Sequence, residues 1–158
     1  MTPASSPPPV PGAVLNQDAD RLQEELLALE SVQNVQIPEA LGGRWLFVAM
    51  HKQRPGDARR LCKRILAQRE PAAPRFVVVV DPSVDVDNPD AVFFHWCANV
   101  DTERDAVTAH GRVAFDATAK SPEEGSEDRP VRDWPPILAM SEDVVNRIEA
   151  RWGEFGID

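Results

Sequence analysis

The sequence predicts an α/β protein, a three-layer α/β/α sandwich built on a small mixed sheet of about four strands. Three observations lead there. Apolar residues at helical spacing alternate along the chain with short apolar, largely β-branched runs. The run RFVVVVD (Arg75–Asp81) is continuous and β-branched, the pattern of a strand buried on both faces. Two earlier strand candidates are joined by only a short turn, so the sheet is mixed rather than all parallel.

The elements follow in order. MTPASSPPPVPG (Met1–Gly12) carries five prolines, which fix φ and remove donors, so residues 1–15 are expected to form an extended or disordered tail. Asn16 or Asp18 can cap a helix over residues 18–30, with Leu22, Leu26 and Leu29 on one face. VQNVQI (Val32–Ile37) is a weak strand. Pro38 and ALGG (Ala40–Gly43) turn the chain into RWLFVAM (Arg44–Met50), a nearly all-apolar strand. Pro55, Gly56 and Asp57 open a helix with an inner stripe of Ala58, Leu61, Cys62, Ile65 and Leu66. After RFVVVVD, Asp87 or Asn88 followed by Pro89 starts another helix. Val92, Trp96 and Val100 form its apolar line, broadened by Ala91, Phe94 and Ala98. RVAFDA is the fourth strand. Residues 121–136, rich in proline and acidic side chains, read as an exposed loop. Ser141 caps a last helix, with Glu142 and Asp143 in its first turn and a stripe of Val145, Ile148, Trp152 and Phe155.

With 158 residues and a net charge of −9, the chain is long enough for one domain and acidic enough to repel phosphate backbones and anionic lipid. No nucleic-acid or membrane partner is expected. Apolar runs such as FVVVV are far too short to cross a bilayer. Two cysteines, Cys62 and Cys97, do not make a disulfide framework and fit a reducing cytoplasm.

Few residues stand out for chemistry. DPSVDVDNPD lacks the glycine and closing glutamate of a calcium loop, and reads as a turn and a helix cap. His95 and Cys97 lie two apart on a helix, about 200° around it, so they cannot share one ion, and Cys97 is expected in the core. The basic residues of RRLCKR are a solvated face or a partner-facing patch. His51 and His110 lie near strand ends without a partner nearby in sequence, and no phosphate-loop, dinucleotide or nucleophile motif occurs. There remains DATAK. Asp116, Thr118 and Lys120 would share one face if the strand continued, and could contact a phosphate or hold a loop against another subunit. An ordinary polar turn is the alternative.

Several segments together resemble the C-terminal domain of the UbiD family of decarboxylases. They are SVQNVQIPEALGGRWLFVAMHKQRPGDARRLCKRIL, RFVVVVDPSVDVDNPDAVFFHWCANVDTERD with its closing Asp101, Arg104 and Asp105, RVAFDATAKSP, and RPVRDWPPILAMSEDVVNRIEARWGEFGI. Ala114 departs from the glycine more typical there. The resemblance spans about residues 31–157 and implies an α/β domain, residues 16–158, that lines one wall of a cleft and makes subunit contacts. It implies a (de)carboxylase of aromatic or unsaturated acids whose prenylated flavin mononucleotide, divalent metal and catalytic residues lie on a different domain. The expectation is therefore a separately encoded, non-catalytic small subunit. It would have no catalytic or metal residue and bind no cofactor alone, and would pair with a UbiD-like catalytic subunit. A self-associating regulatory module of the same fold is the alternative. Lys120, with Asp116 and Thr118, is the candidate for facing the cofactor cleft, and Lys120→Ala is expected to lower activity without unfolding the domain.

Overall fold

The computed structural model describes residues 12–68, 73–131 and 140–156. The expected tail before Gly12 and residues 132–136 of the acidic loop lie outside them. Five strands form one open sheet: β1 (Val32–Gln36), β2 (Trp45–Met50), β3 (Phe76–Val80), β4 (Ala106–Ala109) and β5 (Arg112–Asp116), in the order β1-β2-β3-β5-β4. The inner three are parallel, and each edge strand runs antiparallel to its neighbour. The helices are α1 (Gly12–Leu27), α2 (Asp57–Ala67), α3 (Pro89–Asn99), α4 (Thr102–Asp105) and α5 (Glu142–Glu149). The α/β class and mixed sheet are as expected. Helix α1 starts earlier and ends earlier than residues 18–30.

The fifth strand is β4, where a four-strand sheet was expected. AVTA is short and half-buried, so it carries little periodicity. It joins β5 through a two-residue turn, His110-Gly111, with φ of 53° and 70°. Positive φ at both positions is the hairpin geometry matched to strand twist, and the His-Gly pair was its only local signal.

Alternation along the strands sorts side chains to two faces. On one, Leu46, Val48, Met50, Val77, Val79 and Ala114 meet Leu22 and Leu26 of α1 and the full expected stripe of α2. On the other, Phe47, Ala49, Val78 and Val80 meet Val84, Val86 and Val92 of α3. Half-buried rings flank this second core: Trp45 stacks on Phe76 at 4.6 Å and meets Phe93 edge-on at 5.1 Å, and Trp96 packs against Phe115 at 5.3 Å. Helix α3 turns Phe93 inward, not Phe94, which is 70% exposed. Positions 93 and 96 are one helical turn apart on the sheet side, whereas 94 is about 200° from Val92. Cys97 likewise lies outside the core, one residue past the inward Trp96, and is exposed.

The ends of α2 and α3 are closed by side chains. Asn88 accepts from Asp90 N and Ala91 N, with Pro89 at the first helical position. At the far end of α2, Arg112 donates to the carbonyls of Gln68 (2.9 Å), Ile65 (3.3 Å) and Pro74 (2.8 Å). The guanidinium thus answers orphan helix carbonyls and fixes the loop into β3. By contrast, α5 buries none of its residues, and Val145, Trp152 and Phe155 remain exposed.

The two thiols should therefore behave differently. Burial, with the nearby Asp116 charge, pushes Cys62 up to about 12. A thiol-labelling reagent at pH 8 should modify one cysteine of the native protein, the exposed Cys97, and both cysteines of the unfolded chain. Rapid labelling of Cys62 in the native state would contradict the packing of α2.

Candidate functional site

Because β2, β3 and β5 are parallel, their carboxyl ends gather at one edge of the sheet, where α/β proteins place ligands. Lys52 follows β2, Asp81 follows β3, and the DATAK segment follows β5. β5 ends at Asp116, so Asp116, Thr118 and Lys120 do not continue an extended strand. They fold into a turn whose polar groups bond one another. Thr118 is fully buried; its hydroxyl donates to Asp116 Oδ1 at 2.6 Å and its N–H to the same oxygen at 3.1 Å. The Lys120 side chain is only 4% exposed. Its ammonium lies 3.0 Å from Asp116 Oδ1 and 3.9 Å from Asp105 Oδ2, and donates to the carbonyls of Asp116 (2.6 Å) and Thr118 (2.7 Å).

Asp105 links this knot to α4. Arg104 grips it with a fork of two 2.8 Å bonds, and Asp101 N donates to it at 2.8 Å. The Asp101 side chain caps α4, and Arg129 reaches it at 3.3 Å. Arg104 is held above its ordinary range by the Asp105 carboxylate. The Asp-x-x-Arg-Asp pattern is thus a helix cap and an ionic fork.

A second group seats the acidic loop. Its first part forms a 3-10 turn, Pro122–Glu124, and the Glu124 side chain is only 7% exposed. It accepts from Lys52 Nζ (2.8 Å), Gly56 N (2.9 Å) and Ser121 N (2.8 Å). Burial alone would raise Glu124, but these donors outweigh it and hold the carboxyl below its usual range. Gly125 is required here, since a Cβ would meet Val131 N at 2.8 Å. Within residues 121–131, Glu124 is thus anchored to the sheet edge, while Pro122, Glu123, Ser126, Glu127, Asp128 and Pro130 are exposed as expected.

The remaining candidates resolve simply. Asp85 accepts Asp87 N and Asp87 accepts from Gln36, while Val84 and Val86 point inward, so DPSVDVDNPD is a turn as expected. Within RRLCKR, Arg59 donates to the Arg104 carbonyl and Arg60 pairs with Asp57. His51, His95 and His110 are not drawn into the ionic groups above.

Beside the knot lies a cleft of about 250 Å³, lined by Cys97, Asn99, Asp101, Arg104, Lys120 and Val131 among others. That is below the roughly 300–1,000 Å³ of ligand pockets. Among the described residues, no group of three His, Cys, Asp or Glu side chains is placed to hold a metal. Two wider hollows, of about 380 and 400 Å³, lie beside Met50, Gln53 and Asp57 and beside Arg75, Phe76 and His110. Sequence reasoning singled out Asp116, Thr118 and Lys120, but missed the roles of Asp81, Lys52 and Glu124. Lys52 and Glu124 lie 72 positions apart; Ser121-Pro122-Glu123-Glu124 has the spelling of a capping box, but nothing local joins Glu124 to Lys52.

The described residues thus form an open, mixed five-stranded α/β domain with an ionic knot after its last parallel strand. Residues 18–130 match the C-terminal domain of 3-octaprenyl-4-hydroxybenzoate carboxy-lyase, and the chain belongs to this family, the UbiD C-terminal domain. An uncharacterized protein of Aquifex aeolicus is 29% identical over 128 residues, covering 71% of this chain and 26% of that protein. One of Aeropyrum pernix is 25% identical over 171 residues, 96% and 34% respectively. The chain thus spans about a quarter to a third of the curated relatives it matches. Among solved structures, the vanillic acid decarboxylase of Sedimentibacter hydroxybenzoicus in closed form superposes with a TM-score of 0.66 at 20% identity, covering 87% of this chain and 31% of that one. An evolved dimeric form of the UbiD-class enzyme HmfF from Pelotomaculum thermopropionicum, in complex with prFMN, gives 0.53 at 20% identity, covering 84% and 27%. No helix among the described residues is long and apolar enough to cross a membrane.

Substitutions at two positions test the ionic groups. Lys120→Met leaves Asp116 buried without its cation, while Asp105 keeps Arg104, and should cost about 3–5 kcal/mol in urea unfolding. Lys120→Ala, expected from sequence to act on activity alone, should lose stability for the same reason. Glu124→Gln should cost about 2–3 kcal/mol at pH 7. Because the folded carboxyl is depressed, its contribution is complete above the ordinary glutamate value of about 4.3 and fades as pH falls through the lower folded value. The gap between wild type and Glu124→Gln should therefore narrow in acid. A gap independent of pH would remove the ion pair from the explanation.

Proposed function

We propose that this chain is a non-catalytic small subunit of a UbiD-type (de)carboxylase complex acting on an aromatic or unsaturated acid. A UbiD-like partner chain supplies the prenylated flavin mononucleotide, the divalent metal and the catalytic residues. This chain completes the cleft wall and the oligomer, in the cytoplasm. The observation that carries the reading is the family's C-terminal fold, in which the charged groups at the sheet's ligand edge, Lys120 with Asp116 and Lys52 with Glu124, are paired within the chain. The names of its structural neighbours support the chemistry: a vanillic acid decarboxylase solved in open and closed forms, and an enzyme in complex with prFMN. The former includes a second component, ShVdcD.

In this reading Lys120 faces the partner's cofactor across the small cleft, and Asp116 and Thr118 hold its loop in shape. A second reading, a self-associating module without chemistry, is favoured by one feature. The exposed stripe of Val145, Trp152 and Phe155 is an apolar surface suited to contact between chains.

Co-expression of the full chain with a UbiD-like catalytic subunit separates the two. A stable hetero-complex, with decarboxylation of aromatic acids that the catalytic subunit alone performs poorly, is the expected result. A homodimer that ignores the catalytic subunit would establish the second reading instead.

A further inference from the structure

Ala119 is exposed and contributes only a methyl group, yet its backbone is held from two sides. Its N–H donates to Asp81 Oδ2 at 2.6 Å, and its carbonyl accepts from Lys52 Nζ at 2.5 Å. The same ammonium donates to Glu124 Oε2 at 2.8 Å. One side chain, 15% exposed, thus ties the exit of β2 to the loop after β5 and to the acidic segment that follows. The neighbouring chain is fastened by other means. Ala117 N continues the ladder to Val79 O at 2.8 Å, and Asn99 holds the Ala117 carbonyl at 3.0 Å. Lys120 is fixed by the buried knot. Beyond Ala117 and Thr118, residues 119–131 contribute no apolar side chain to either core. Their placement over the sheet edge depends on polar ties. Charge-assisted bonds from an ammonium to a carbonyl and a carboxylate are about twice as strong as neutral ones.

We propose that Lys52 is a positioning residue that clamps residues 119–124 in a single arrangement, so that the cleft-side loop is presented preformed. The clamp is a property of this chain by itself. Its consequence for turnover rests on the subunit reading above. A loop already ordered before association loses less conformational freedom on binding.

Amide hydrogen exchange on the full chain tests the clamp. In Lys52→Met, Ala119 and Ser121 should exchange at least tenfold faster, while Val77–Val80 keep their wild-type rates. Lys52→Arg, which retains the cation, should preserve protection. Unchanged protection of Ala119 and Ser121 in Lys52→Met overturns the proposal. So does an equal rise across β3 and the loop, which marks a general loss of stability. If Lys52→Met does not fold, Lys52→Gln should show the same local release, and failure of both to fold also overturns it. In a reconstituted complex, Lys52→Met should raise the subunit dissociation constant about tenfold and lower turnover at limiting subunit concentration, whereas wild-type affinity and turnover would remove that consequence. If no catalytic subunit binds at all, the subunit reading fails while the exchange result still decides the clamp.

Discussion

A buried ammonium needs oxygen partners, and Lys120 organises this edge of the fold by that need. Taking the charge out of water is costly unless carboxylates and carbonyls replace the solvent. Asp116, Asp105 and the carbonyls of Asp116 and Thr118 do so. That requirement fixes the turn after β5. It also draws α4 in, because Asp105 must lie beneath the turn. Arg104 and the capped Asp101 then hold Asp105 in place. A single buried cation thereby joins two segments that the sheet alone would leave as separate loops.

The parallel order β2-β3-β5 makes the arrangement possible. Parallel pairing brings Lys52, Asp81 and Asp116 to the same edge, although they are scattered through the chain. Around the edge, acids and bases pair within the chain. What faces outward is a shaped rim with a small cleft, not a closed active site. In the proposed reading, this rim borders a cavity whose chemistry lies on the partner chain.

Legibility differed between core and edge. The stripe of α2 was readable residue by residue, since burial at helical spacing leaves a periodic trace. The Asn88-Pro89 helix start was readable from local chemistry. β4 was not, because four half-buried residues leave no usable period and the hairpin is visible only through His110-Gly111. Phe94 and Cys97 were misplaced on α3, whose apolar residues surround the helix, so periodicity could not choose its inward side. Asp116, Thr118 and Lys120 were identified as a unit. Their inward orientation was not, because an extended strand and a buried turn share the same alternating spelling.

The sequence by itself determined the α/β class, the central strand, the main helical faces and the family, all of which rest on local periodicity and on the order of segments. The tertiary structure alone decided which charges meet. Lys52 with Glu124, Asp81 with the Ala119 amide, and Lys120 with Asp105 are pairs between distant positions. Only the gathering of parallel strand ends brings them within bonding distance. DATAK thereby changes from a polar loop of open purpose into a buried ionic turn with one exposed residue, Ala119, held at both its backbone groups.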